Sequence, residues 1–345
     1  MSSEVPRSRP QPERGPSAAR ATSAETPRVS LRERLAGRGG PILLDGATGT
    51  ELERAGLPTG LPLWSTLALL AAPECVRDVH AAHLAAGAEI VTANTFRTQA
   101  RTLARAGLPA ADRSLTALAV GLARQAVAAR SPRGGESGPD AGRRERRPSW
   151  VAGSLPPLED CYRPERVPDE AALAREHGRQ ADLLGEAGVD LILVETMNSI
   201  REASAAARAS ARTGLPFVVS FVAWDGAALL SGEPLAEAAR AVLDLGAAAV
   251  GVNCLPIANL EACRLALAGL EAPWIASPNL GQPEPNTGFT RDESVAAVEF
   301  VTAFDAWLDR PALILGGCCG TTPRHIAALA ARLHGRPRPG VPPRA

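Results

Sequence analysis

Eight short apolar runs, each followed by a turn and a stretch of helical periodicity, constrain this chain more than any other feature. They cover residues 41–45, 89–93, 150–153, 190–194, 217–221, 247–252, 274–276 and 312–315. Each run is continuous rather than alternating, as expected of parallel strands covered on both faces. The connecting segments carry helix boundary signals. In Pro73-Glu74-Cys75-Val76-Arg77-Asp78-Val79 a proline sits in the first turn, and Gly87 stands just past the end. Unbroken strand–helix alternation predicts an α/β fold, and eight such units predict a closed (β/α)8 TIM barrel in a single domain.

In a barrel the chemistry sits at the carboxyl ends of the strands. The residues that follow the runs are Asp45-Gly46-Ala47-Thr48, Thr92-Ala93-Asn94-Thr95, Gly153-Ser154, Glu195-Thr196, Ser220 with Trp224-Asp225, Asn253-Cys254, Pro278-Asn279 and Gly316-Gly317-Cys318-Cys319-Gly320. Turns are polar anyway, which accounts for the Gly, Asn and Ser. It does not account for the carboxylates Asp45 and Glu195 or for three cysteines on one rim.

Composition narrows the chemistry. The 37 basic residues are all arginine; the chain contains no lysine. Schiff-base aldolases, pyridoxal-phosphate enzymes and Walker-A nucleotide sites all need a lysine amine and are excluded. The formal net charge is zero, so neither a nucleic-acid nor a membrane partner is expected. No apolar stretch reaches the roughly 18 residues of a transmembrane helix, and the N-terminus lacks a secretory pattern. A cytoplasmic location follows as an expectation, and with it six reduced cysteines available for metal or catalysis.

Residues 1–30 are rich in Ser, Pro, Arg and Glu and read as a disordered tail. Residues 31–335 form the barrel, and 336–345 a loose C-terminal tail. The stretch 131–148, with Arg143, Arg144, Arg146 and Arg147, reads as a solvated surface insertion.

Cys254 ends the sixth run, and Cys318 and Cys319 end the eighth. The glycines around the adjacent pair let both sulfurs aim at one centre. Soft thiolates select zinc, and three protein ligands leave the open position that a catalytic site needs. A vicinal disulfide or a redox sensor would use the same pair. Cys75 and Cys263, in helical segments, and Cys161, in a loop, read as bystanders. None of the five histidines stands at a strand end.

These residues carry a resemblance. The stretches Asp45-Gly46-Ala47-Thr48-Gly49-Thr50-Glu51-Leu52, Gly87-Ala88-Glu89-Ile90-Val91-Thr92-Ala93-Asn94-Thr95-Phe96, Leu193-Val194-Glu195-Thr196, Gly251-Val252-Asn253-Cys254 and 316–323 run in one order over about 41–333. In them the chain resembles the homocysteine S-methyltransferase family. The resemblance implies a Zn2+ site on Cys254, Cys318 and Cys319. It implies transfer of a methyl group from a small onium donor to the thiol of homocysteine, giving methionine. It places the acceptor's amino group on Asp45 and Glu195, with Gly46, Thr95 and Asn253 completing the substrate site and Trp64 on the donor side. Core packing explains Trp64 equally well. The loop Gly153-Ser154-Leu155-Pro156-Pro157-Leu158 and Thr196 after Glu195, where the betaine-using branch has a tyrosine, depart from relatives on the donor side. The chain has no room for folate or cobalamin modules, so a free-standing donor such as S-methylmethionine is favoured. Another thiol or selenol acceptor, or a zinc- or thiol-binding protein without turnover, are the alternatives.

Overall fold

The computed structural model describes residues 30–130, 148–225, 227–281, 283–284, 288–289, 295–310 and 313–334. The expectations for 1–29, for most of the arginine-rich stretch 131–148 and for the C-terminal tail lie outside these residues.

All eight apolar runs contain a strand: β1 (Ile42–Leu43), β2 (Ile90–Ala93), β3 (Trp150–Leu155), β4 (Leu191–Met197), β5 (Phe217–Phe221), β6 (Val250–Pro256), β7 (Trp274–Asn279) and β8 (Leu313–Leu315). They pair in parallel in the order β1-β8-β7-β6-β5-β4-β3-β2. A parallel bridge between Leu44 and Ile90 joins the two ends, so the sheet closes into a barrel. Helices stand between successive strands, among them Pro73–Ala86, Asp112–Ala129, Glu170–Ala187 and Ile200–Arg212. Local chemistry sets their ends. Pro73 occupies the first turn of its helix and Gly87 closes it at φ 114°. Asp169 and Ser199 cap the helices that follow them through their side-chain oxygens.

Strand alternation explains how the site arises. Outward residues such as Val91, Val151, Val194 and Val252 pack with the helices. On the inward face Ile90, Ala152, Leu191, Val218, Ala249 and Ile275 belong to one apolar cluster, which Leu31 and Leu35 of the short helix Leu31–Leu35 join. One or two steps of period two further along, the same face delivers Thr92, Ser154, Glu195, Ser220, Asn253 and Ser277 to a common cavity. The inward face of the strands is therefore apolar in these lower layers and turns polar toward its carboxyl rim. Gly251 keeps β6 close to β7: a Cβ there would lie 1.8 Å from the Ile275 carbonyl oxygen. Beneath the sheet a buried ion pair, Arg34–Glu89 at 2.9 Å, ties the first helix to the start of β2.

Ser30 forms a capping box with Glu33 at the start of helix Leu31–Leu35. A chain beginning at Ser30 is expected to melt and turn over as the full chain does. The residues removed carry almost no large apolar side chains to offset the entropy of ordering them. Aggregation or lost activity on removing residues 1–29, read by thermal denaturation and assay, overturns this.

Candidate active site

Two strand ends are irregular where the chemistry is densest. The β4–β5 register shifts between Val194 and Met197, and the β6–β7 register between Asn253 and Pro256. Thr196 and Cys254 sit in these bulges in the left-handed region, at φ 60° and 57°. Such a conformation costs a non-glycine residue about 1–3 kcal/mol. A bulge re-aims the side chains around it; here Glu195 and Thr196, and Asn253 and Cys254, all line one cavity.

That cavity has a volume of about 630 Å³ and opens at the carboxyl ends of the strands. On its wall the sulfurs of Cys254, Cys318 and Cys319 lie within 4.8 Å of one another. Tetrahedral zinc with Zn–S near 2.3 Å would set its ligand sulfurs about 3.8 Å apart, so the cluster needs only small adjustments to close on one ion. All six cysteines are free thiols. Hydrogen bonds from Cys318 and Cys319 hold the Cys254 thiol well below its ordinary pKa, and Tyr162 and Asn279 add to this. Cys318 and Cys319 are pushed up, first by their contact with Cys254. Three sulfurs in one buried place cannot all ionise unless a cation joins them, and the donor set is soft and anionic. The residues fit a thiophilic metal such as zinc.

The loop carrying Cys318 and Cys319 is clamped to the first-strand loop. Gly317 N–H donates to the Asp45 carbonyl at 3.0 Å and Cys318 N–H to the Pro278 carbonyl at 2.8 Å. The Thr321 hydroxyl donates to the Cys318 carbonyl at 2.7 Å and accepts from Ala47 N–H at 3.1 Å. A side chain at Gly46 would strike His83 at 2.8 Å and Thr321 at 2.9 Å, so only glycine lets the loop lie this close.

The two carboxylates differ in their holders. Asp45 accepts from Thr92 N–H at 2.7 Å and from the Thr92 hydroxyl at 2.9 Å. Burial nevertheless pushes its carboxyl up to about 7. Glu195 accepts from the Ser154 hydroxyl at 2.5 Å and from Asn253 Nδ2 at 3.2 Å. Burial pushes it up to about 8, with Cys254 and Asp45 adding repulsion against the Ser154 bond. A desolvated carboxylate pair of this kind is poised for a cationic ligand.

Of the residues singled out in the sequence, Asp45, Gly46, Trp64, Glu195, Asn253 and the three cysteines all line the cavity. Asn253 is fully engaged within the protein. Its oxygen accepts from Thr196 N–H and from the Ser220 hydroxyl, both at 2.8 Å, while its nitrogen donates to Glu195 and Thr196. Thr95 is not brought to the cavity wall; its hydroxyl donates to the Ser154 carbonyl at 2.9 Å. Trp64 lies over Gly49 and meets Phe96 edge-on, with ring centroids 6.0 Å apart. Cys161, read as a bystander, lines the same cavity but stands outside the three-sulfur cluster. Sequence reasoning missed Tyr162, the chain's sole tyrosine. Its hydroxyl lies 3.0 Å from Cys254 Sγ and its ring 5.1 Å from that of Trp224. Nothing local in the 156–169 loop announces that contact; the rarity of the residue was the sole signal.

Among the described residues no helix is long and apolar enough to cross a membrane. The chain is 31% identical over 338 residues to the selenocysteine Se-methyltransferase of Brassica oleracea var. italica, spanning 91% of this chain and 95% of that protein. It is 32% identical over 307 residues to the homocysteine S-methyltransferase of Escherichia coli (strain K12), spanning 84% and 94%. The structure of the Escherichia coli homocysteine methyltransferase MmuM in its metallated form superposes with a TM-score of 0.72 at 30% identity, covering 86% of this chain and 98% of that one. The homocysteine S-methyltransferase family matches residues 42–333, and the chain belongs to that family.

Proposed function

We propose that this protein transfers a methyl group from a small onium donor, with S-methylmethionine favoured, to the thiol of L-homocysteine, giving methionine, and that its metal is zinc held by Cys254, Cys318 and Cys319. The observation that carries this is the pairing of two unlike subsites in one cavity. A soft three-sulfur cluster suits a thiol, and the desolvated carboxyls of Asp45 and Glu195 suit an ammonium group. An aminothiol presents both groups on one short chain.

Bound there, zinc would act as a Lewis acid that makes the acceptor's sulfur a thiolate at neutral pH. The protein supplies orientation. Asp45 and Glu195 hold the ammonium end, with Thr92, Ser154 and Asn253 fixing the two carboxylates. The clamp from Thr321 and Gly317 keeps the cysteine loop in register with that amine site. Trp64 and Phe96 give the cavity an aromatic wall, on which a methyl-bearing cation is stabilised. The acceptor's proton leaves when its thiol becomes a thiolate, and methyl transfer from one sulfur to the other then moves no further proton, which suits a cavity with no histidine among its described lining residues. Placement within the cavity supplies much of the remaining acceleration.

Freshly reduced protein is expected to carry about one zinc per chain and to convert homocysteine to methionine with S-methylmethionine ahead of other donors. Elemental analysis and a donor panel read this, and metal-free protein or a panel without methionine refutes it. The relative that is a selenocysteine Se-methyltransferase motivates a second acceptor, selenocysteine, to be run in competition. A large preference for the selenol would reassign the acceptor and leave the site chemistry unchanged.

A further inference from the structure

Three arginines lie at intervals of four along the segment after β2, namely Arg97, Arg101 and Arg105. Arg101 is gripped by Glu176 and Glu159, with nitrogen–oxygen distances of 2.7 and 2.9 Å, and Arg105 by both oxygens of Glu159. Arg97 differs. Among the described residues no carboxylate lies within ion-pair distance of it. Its one hydrogen bond is a long one, 3.4 Å, from Nη1 to the Glu159 backbone carbonyl. Its Nε is buried and has no partner. The side chain lines the cavity, its guanidinium carbon stands 5.3 Å from the centre of the Phe96 ring, and its charge reaches the Cys161 thiol.

A partly buried guanidinium on a cavity wall, with no carboxylate partner of its own, is a ready partner for a ligand's planar carboxylate. Two features say whose. The acceptor's holders, Asp45, Glu195 and the sulfur cluster, stand at the strand ends, whereas Arg97 stands in the loop layer beyond β2, beside the aromatic pair Trp64 and Phe96. A cation next to an onium site repels its ligand unless an anion lies between them. We propose that Arg97 binds the carboxylate of the methyl donor, so that the second substrate is a small onium carrying its own carboxylate, as an S-methylated amino acid does. The inference rests on the methyl-transfer reading above.

The test compares wild type, Arg97→Gln and Arg97→Lys in steady state with S-methylmethionine and with its carboxamide. With Arg97→Gln the KM for S-methylmethionine is expected to rise more than tenfold. The kcat should stay within about threefold, and homocysteine KM and metal content should not change. Arg97→Lys should recover part of the loss. The carboxamide, which carries no anion, should be used alike by all three proteins. Equal losses for both donors, an unchanged donor KM, or a rise in homocysteine KM instead would overturn the assignment. Wild type that makes no methionine from any donor would overturn the parent reading. Calorimetric titration of S-methylmethionine into wild type and Arg97→Gln then tests Arg97 by itself, and equal affinities or no binding to wild type would overturn it.

Discussion

Cys254→Ser, Cys318→Ser and Cys319→Ser are each expected to lose the bound metal and nearly all turnover. The sulfurs of these residues lie within 4.8 Å of one another on the cavity wall. Full structural zinc sites are stabilised by roughly 10–16 kcal/mol over four ligands, so one ligand of the set carries about 2.5–4 kcal/mol. At about 1.4 kcal/mol per tenfold, each serine variant loses two to three orders of magnitude in metal affinity. Serine keeps the volume and removes the soft anion, and Cys254 also has a left-handed backbone that the substitution leaves in place. Cys75→Ser is the remote control and Cys263→Ser the buried one, since Cys263 packs in the helix–strand layer away from the cluster. Cys161→Ser is the discriminating variant. It changes the cavity wall without touching the cluster, so its metal content should stay at the wild-type level. Elemental analysis of the six variants, with methionine formation assayed in parallel, decides the matter. Metal loss in Cys263→Ser equal to that in Cys254→Ser would mean that the ligands are misassigned.

How far the site could be read in advance depends on the range of the interaction involved. Apolar continuity located all eight strands, because parallel strands buried on both faces must be apolar throughout. The same signal ended several of them early. The apolar runs at 190–194, 247–252 and 274–276 continue as strand to Met197, Pro256 and Asn279. There the backbone ladder persists after the side chains turn polar, and the residues that look like turns are the functional rim. Period two carried one more message: from Ile90 it leads inward to Thr92 and Asn94, both on the cavity wall, and leaves Thr95 to bond Ser154. The bulges at Thr196 and Cys254 have no glycine to announce them. Tyr162 reaches Cys254 across 92 positions of sequence, a distance that no local pattern encodes.

Glu195→Gln is expected to weaken homocysteine binding by more than tenfold while metal content stays intact. Truncating one partner of a buried, hydrogen-bonded charge pair costs about 2–5 kcal/mol. Glutamine keeps the shape: its oxygen can still accept from Asn253, and its amide can donate to a rotated Ser154 hydroxyl. A thiol acceptor without an amino group never uses the carboxylate and should bind both proteins alike. Proton linkage gives a second readout. The carboxyl titrates near 8 in the free protein, so at pH 7 its proton must leave before the ammonium can dock. Homocysteine affinity should therefore climb with pH up to about 8 and then flatten. Thiol capture by the metal also releases a proton, but that contribution is common to both acceptors. The difference between their pH slopes isolates the two carboxyls, Asp45 near 7 and Glu195 near 8, and the glutamine variant should lose the Glu195 share of it. Stability supplies the control. Because the folded pKa lies above the ordinary 4.5, the folded protein binds more protons than the unfolded chain, and the carboxyl's contribution falls as pH rises from 4.5 to 8. Glutamine removes that loss, so at pH 8 the variant should melt no lower than wild type. A lower melting temperature, with equal losses for both acceptors, would assign Glu195 a purely structural role.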